Sequence, residues 1–91
     1  MTKEQLIQNI AASTDVDKAI VRTVVYAAIE ETKSAIQKGD SLFIRGFGTM
    51  SPKMRKQKVA RNISRGETIM IAAHKVPAFK AAKEFKKSLN R

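Results

Sequence analysis

The chain has 91 residues, 43% of them hydrophobic and 5% aromatic, with no cysteine and a formal net charge of +10 at pH 7. This length predicts a single domain with a small core, and the lack of cysteine excludes disulfide bonds and thiolate-bound zinc as sources of stability. Association with a second chain is the remaining way to stabilise a domain with so small a core. Because no signal-like segment and no apolar run of membrane-spanning length occur, we expect a cytoplasmic protein.

The first predicted element is a helix near the start of the chain. Thr2 followed by Gln5 fits a capping box, and apolar residues then recur at helical spacing to about Ser13. Asp15 and Asp17 are both candidate N-caps for a second helix, and Asp17 is better placed.

The second predicted helix runs from about residue 18 to Gly39, which offers a C-terminal stop. Its apolar stripe is wide and rich in β-branched residues, and includes Val24, Ile29 and Ile36. This width is typical of a helix that is covered on more than one side, as in an intertwined dimer.

Beyond Gly39 the pattern predicts strands. Residues 41–45 form a short strand, residues 46–48 a tight turn, and residues 49–60 a second strand in which Pro52 suggests an edge or a bulge. A turn-rich segment at 62–66 leads into a third strand, 68–73.

Residues 53–75 thereby become a long hairpin, with about ten residues per leg and a projection of roughly 30 Å. Pro77 marks a break, after which a final helix is predicted at about 78–90. The predicted fold is α+β: two N-terminal helices (1–40), a three-stranded antiparallel sheet with a long β-ribbon arm (41–76) and a C-terminal helix (77–91).

The net positive charge of the chain lies entirely in its second part. Residues 1–50 carry six basic and six acidic side chains, whereas residues 51–91 carry twelve basic and two acidic ones. This asymmetry indicates a nucleic acid partner, and less strongly an anionic membrane surface.

Six of the basic residues lie in the segment 53–66, together with Ile63. An apolar side chain among cations near a turn predicts a hairpin tip that enters a DNA groove and wedges between bases. Arg61 and Arg65, which flank the turn, are the candidates for reaching into the minor groove. Four cations are candidates for following the phosphates: Lys53, Arg55, Lys56 and Lys58.

The chain resembles the HU/integration host factor family of bacterial nucleoid-associated, histone-like proteins. The motifs that carry the resemblance are Leu6/Ile7/Ile10, Gly39-Asp40, Gly46-Phe47-Gly48-Thr49, Arg61-Asn62, Gly66, Ile69, Ile71 and Val76-Pro77-Ala78-Phe79 followed by Lys83. The resemblance implies an obligate intertwined dimer; we expect a homodimer, and a heterodimer with a paralogue is the alternative. It also implies two ribbon arms that embrace double-stranded DNA in the minor groove and bend it. Because few side chains are suited to reading base edges, we expect low sequence specificity and a preference for bent, nicked or flexible sites, which cost less to deform.

One departure from the family pattern concerns the wedge. Family members usually carry proline after the Arg61-Asn62 pair, where this chain has Ile63. Isoleucine keeps the apolar bulk but gives up the fixed φ of proline, so we expect Ile63 to remain the intercalating wedge on a less pre-organised tip. The alternative is that Ile63 packs on the partner strand or folds over the turn.

The remaining site predictions concern the body. Lys3 and Lys83 match positions that flank DNA in the family, and further candidate phosphate ligands are Arg45, Lys75, Lys80 and Lys86. Phe47 and Phe79 are predicted to join Val24, Ile29 and Ile36 in the dimer core, and Phe43 and Phe85 are interpreted as similar core or interface residues.

Catalysis has little support, because His74 is the only histidine and no glycine-rich phosphate loop follows a strand. No cofactor or metal is expected. Three functions stay open: an architectural nucleoid protein that compacts DNA, which the pattern favours; a helix-turn-helix regulator; and a structural RNA-binding protein. Within the family, site-specific binding of the integration host factor type is the alternative to non-specific binding.

Overall fold

The structure, a computed structural model, describes residues 1–62 and 66–90, and for residues 60–62, 67 and 69 it describes the backbone alone. The predictions for Ile63 and Arg65, and those for the side chains of Arg61 and Asn62, therefore lie outside the described residues. Contacts divide the chain into two compact units, Met1–Ser34 and Ala35–Arg91.

Helix α1, Lys3–Thr14, begins with the predicted capping box. The Thr2 hydroxyl accepts a hydrogen bond from the Gln5 N–H at 3.2 Å, and the Gln5 Oε1 accepts one from the Thr2 N–H at 2.8 Å. The helix ends at Asp15, which has the left-handed φ of 58° and donates its N–H to the Ala11 carbonyl. The interpretation of Asp15 as an N-cap is therefore wrong: aspartate tolerates this conformation, and the residue ends α1.

Helix α2, Lys18–Gln37, starts directly after Asp17. Its predicted end at Gly39 is confirmed, because Gly39 has a φ of 87° that suits glycine. The Asp40 N–H donates to the Ala35 carbonyl at 2.9 Å, which is the long hydrogen bond of a Schellman motif.

The described residues of the second unit form five strands and a helix: β1 (Leu42–Ile44), β2 (Gly48–Arg55), β3 (Lys58–Asn62), β4 (Glu67–Ile71), β5 (His74–Ala81) and α3 (Lys83–Leu89). Strands β1, β2 and β5 form an antiparallel sheet in that order, and β3 and β4 form a two-stranded ribbon. The three-stranded antiparallel sheet with a ribbon arm is thus confirmed, but its third strand is β5, and the strand predicted at 68–73 belongs to the ribbon as β4. The continuous strand predicted over 49–60 is wrong, because both legs are interrupted, at 56–57 and at 72–73.

The predicted break at Pro77 and the long final helix are also wrong: β5 runs through Pro77, and α3 starts only at Lys83. The Ala82 N–H donates to the Phe47 carbonyl at 2.9 Å, which makes 47/82 a hydrogen-bonded pair. Such pairs alternate with non-hydrogen-bonded ones along an antiparallel ladder, so Pro77 and its partner Pro52 form a non-hydrogen-bonded pair. Neither proline removes a ladder bond, and the strand continues.

Gly48 is buried at the start of β2, under the ring of Phe79. A Cβ atom on Gly48 would lie 2.5 Å from the Lys80 carbonyl oxygen and 2.6 Å from the Phe79 ring. Phe79 in turn packs against Phe47, with ring centroids 5.1 Å apart, and Phe47 stacks on Phe85 of α3 at 5.3 Å. The missing side chain of Gly48 therefore lets this aromatic cluster form close to the sheet backbone.

We expect Gly48→Ala to lower the free energy of unfolding by about 1–3 kcal/mol, because the methyl group must displace backbone as well as the Phe79 ring. The measurement is thermal and urea unfolding at fixed protein concentration. Gly46→Asn is the matched control: its φ of 80° suits asparagine, and nothing lies within 4 Å of a Cβ there. Equal stability of the two variants would contradict the close-approach argument.

Candidate nucleic-acid interface

The register of the β1–β2–β5 sheet assigns its side chains to two faces. Successive residues of a strand point to opposite faces, and cross-strand partners share a face. One face, here called the cationic face, carries Phe43, Thr49, Ser51, Lys53, Arg55, His74, Val76, Ala78 and Lys80. The other, the apolar face, carries Leu42, Ile44, Met50, Pro52, Met54, Lys75, Pro77 and Phe79.

Three predicted phosphate ligands therefore lie together on one face. Lys53, Arg55 and Lys80 are all exposed. Arg55 lies opposite His74, whose Nδ1 is 2.9 Å from the Ala72 carbonyl oxygen. His74 was considered only for catalysis, and its place on this face is revealed by the register alone.

Lys75 is separated from these cations, because it is the partner of Met54 on the apolar face. Lys80 was interpreted as a helix residue, but it belongs to β5 and lies opposite Thr49. Arg45 is exposed and lies in the turn after β1. The predicted body cations thus do not form one continuous track.

The cations of the cationic face form no ion pair with a carboxylate among the described residues. In the part of the chain that the structure describes, the two ion pairs are Arg22–Glu4 at 2.9 Å and Lys33–Glu30 at 3.2 Å, both on the helices. The positive charge of the cationic face is therefore not neutralised by a carboxylate among the described residues, and an anion can approach it.

The outer ribbon continues beyond the interruption at Lys56. In it Lys58 pairs with Ile71, and Val59 pairs with Met70; Lys58, Val59 and Met70 are exposed. At the far end, the backbones of residues 61 and 62 pair with those of 68 and 67. The ribbon therefore presents both charge and apolar surface to a partner.

The helical unit gives Lys3 a specific setting. Its Nζ lies 3.9 Å from the centroid of the Tyr26 ring, and the Tyr26 hydroxyl donates to Glu4 Oε1 at 3.1 Å. The hydrogen bond from Arg22 to the Glu4 carboxylate is the main cause that lowers the pKa of Glu4, and the same contact raises the pKa of Arg22. Lys3 is thus held by a cation–π contact beside an ionised pair.

The cations of α3 could bind phosphate or stabilise the helix itself. Lys83 and Lys86 are exposed, and Lys86 and Lys87 lie in the last turn of the helix, where cations interact favourably with its dipole. Their placement fits phosphate contacts and helix stabilisation equally.

Most of the predicted dimer core is uncovered in the single chain. Among the described residues, the buried hydrophobic side chains are Ile7 and Val21. Val24 is 60% exposed, Phe47 46% and Phe79 43%; Ile29 is also exposed and Ile36 half-buried. So much exposed apolar surface is typical of a chain that associates with a partner.

No helix among the described residues is long and apolar enough to cross a bilayer. The histidine and acidic side chains of the residues that the structure describes form no group of three that could hold a metal ion.

Comparison with known proteins shows which family the chain matches. Residues 1–90 match the model of the family described as bacterial DNA-binding protein. The chain is 43% identical to DNA-binding protein HU-beta of Pseudomonas aeruginosa over 99% of this chain and all of that protein. It is 36% identical to integration host factor subunit beta of Histophilus somni, over 99% and 97% of the two chains.

Among solved structures, the chain resembles that of an Anabaena HU–DNA cocrystal. The TM-score is 0.91 at 34% identity, and the match covers 98% of this chain and 97% of that one. A family match over nearly the whole chain, together with these relatives, leads to one conclusion: the chain belongs to the HU/integration host factor family of bacterial DNA-binding proteins.

Proposed function

We propose that this protein is an architectural DNA-binding protein of the bacterial nucleoid, which binds, bends and compacts double-stranded DNA. The observation that carries the proposal is the segregation of Lys53, Arg55 and Lys80 onto one sheet face, opposite the apolar Phe79. Such a face attracts phosphates through counterion release. The similar Anabaena chain was crystallised with DNA, which supports the same partner here.

Low sequence specificity follows from the type of side chain available. Lysine and arginine on a sheet face contact phosphates, which carry no sequence information. Recognition then depends on how easily the duplex is deformed, so nicked, bent or flexible sites are favoured. We propose that the ribbon arm, with Lys56, Lys58, Arg61, Asn62 and Arg65, follows the minor groove.

We also propose that the working form is a homodimer. One chain leaves Val24, Ile29, Phe47 and Phe79 exposed, and a second copy would cover such surfaces. The single 91-residue domain, its place in the cytoplasmic nucleoid and the lack of catalytic activity belong to the same proposal.

The helix-turn-helix alternative receives less support from the helical unit. A reading helix needs cations that are free to reach base edges. On α2, Arg22 hydrogen-bonds with Glu4 and Lys33 with Glu30. These contacts direct both side chains toward carboxylates on the protein.

The test is competition binding at fixed salt with random B-DNA, nicked DNA, AT-rich DNA and A-form duplex RNA. An architectural protein should bind nicked DNA most tightly and RNA least. For six to ten neutralised phosphates, log K should fall with log salt at a slope of about −5 to −9. Equal affinity for RNA and nicked DNA would contradict the proposal.

A separate prediction concerns the wedge. We expect Ile63→Ala to bind DNA but to bend it less, because alanine lacks the bulk to unstack a base step. The measurement is the fluorescence end-to-end distance of a short labelled duplex at saturating protein. Ile63→Pro, which restores the usual family residue, is the control and should bend at least as strongly as the wild type. Equal bending by Ile63→Ala and the wild type would rule out the wedge.

A further inference from the structure

Phe43 is the most exposed of the four phenylalanines. Its relative exposure is 70%, compared with 46% for Phe47 and 43% for Phe79, while Phe85 is half-buried. The other three rings form the cluster at the apolar face and α3. Phe43 was expected to behave like them, but the register places it on the opposite side of the sheet.

The neighbours of Phe43 are those of the cationic face. It pairs with Thr49, and Thr49 pairs on its other side with Lys80. Two strand spacings therefore separate the backbones at Phe43 and Lys80, roughly 10 Å. An aromatic ring on this face stays in water unless a partner covers it, and that partner must also tolerate the positive charge around it.

We propose that Phe43 makes a direct apolar contact with duplex DNA, against the deoxyribose and base edges of the minor groove. The inference rests on the proposed function and deepens it. Charge complementarity selects the partner: Lys53, Arg55 and Lys80 share the face and attract phosphates. A ring between two phosphate-lined walls would meet the least charged part of the duplex, the groove floor and its sugars.

An apolar contact has a signature that separates it from phosphate contacts. Counterion release fixes the slope of log K against log salt, whereas apolar burial adds a term that does not depend on salt. Phe43→Ala should therefore lower the affinity by a similar factor, about tenfold, at every salt concentration. Lys80→Ala should instead make the slope shallower, by about 2 for a dimer.

The experiment is a salt titration of DNA affinity for the wild type, Phe43→Ala, Phe43→Leu, Lys80→Ala and Leu89→Ala. Leu89 is the matched control, because it is 76% exposed on α3 and does not belong to the cationic face. We expect Phe43→Leu to retain part of the affinity and Leu89→Ala to retain all of it. Thermal unfolding of each variant checks the fold.

Three results for the Phe43→Ala variant would overturn the inference. The first is wild-type affinity of Phe43→Ala; if the wild-type salt slope is steep at the same time, the proposed function stands and only the role of Phe43 fails. The second is a plot of log K against log salt that has a shallower slope for Phe43→Ala than for the wild type but the same intercept. The third is a lower sedimentation mass of Phe43→Ala in the absence of DNA, which would assign Phe43 to a contact between subunits. A wild type that binds no DNA would remove both proposals.

Discussion

Replacing Lys53 and Arg55 together by alanine is expected to lower the affinity for duplex DNA by about 10²–10³-fold at 0.15 M salt. Both side chains are exposed on the cationic face, and a dimer would lose four phosphate contacts. The slope of log K against log salt should become shallower by about 3 to 4. Fluorescence anisotropy of a labelled duplex, titrated at several salt concentrations, measures both quantities.

The control for this variant removes the same charge elsewhere. Lys33→Ala with Lys38→Ala takes two cations from the end of α2 and its C-terminal turn, outside the cationic face. We expect this double variant to keep most of the wild-type slope. If both double variants lose affinity equally, net charge alone governs binding, and the arrangement of cations on one sheet face has no special role.

The second large effect is expected for Val24→Asp. Val24 lies on α2 and is 60% exposed in the single chain. If a second copy covers it, the aspartate introduces an unpaired charge into an apolar interface, at a cost of several kcal/mol per subunit. With only Ile7 and Val21 buried among the described hydrophobic residues, an isolated chain has little to keep it folded. We therefore expect loss of both the dimer and cooperative unfolding.

Sedimentation and thermal unfolding over a range of protein concentrations test this expectation. The wild-type melting temperature should rise with concentration, as for any protein whose folding is coupled to association. Thr23→Asp is the control, because it places the same charge on the adjacent, exposed residue of the helix. A Val24→Asp variant that melts like Thr23→Asp would contradict the assignment of Val24 to the interface.

Helix ends that depend on neighbouring residues were predicted most reliably from the sequence. The capping box of Thr2 and Gln5 and the end of α2 at Gly39 depend on residues within five positions of each other, and both predictions are confirmed. Asp15 shows the limit of such signals. Aspartate suits both an N-cap and a left-handed C-cap, and a loop this short offers both positions.

Long-range pairing could not be predicted. Pro77 is interpreted as a break because proline lacks a backbone donor, but the register places it in a non-hydrogen-bonded pair, where no donor is needed. The same register decides which cations share a face. The sequence therefore predicted Lys53, Arg55, Lys75 and Lys80 as phosphate ligands, but not that Lys75 lies on the opposite face of the sheet.

The Pro52–Pro77 pair has a consequence for aggregation. In a non-hydrogen-bonded pair, the backbone polar groups of both residues point outward, away from the partner strand. Strand β5 is an edge of the sheet, and β2 has no β1 partner at Pro52. The outward-facing edges of β2 and β5 consequently both lack an N–H donor at this register position. A strand of another molecule that added to either edge at this position would lose a hydrogen bond, which protects this part of the β2–β5 pair from edge-to-edge polymerisation.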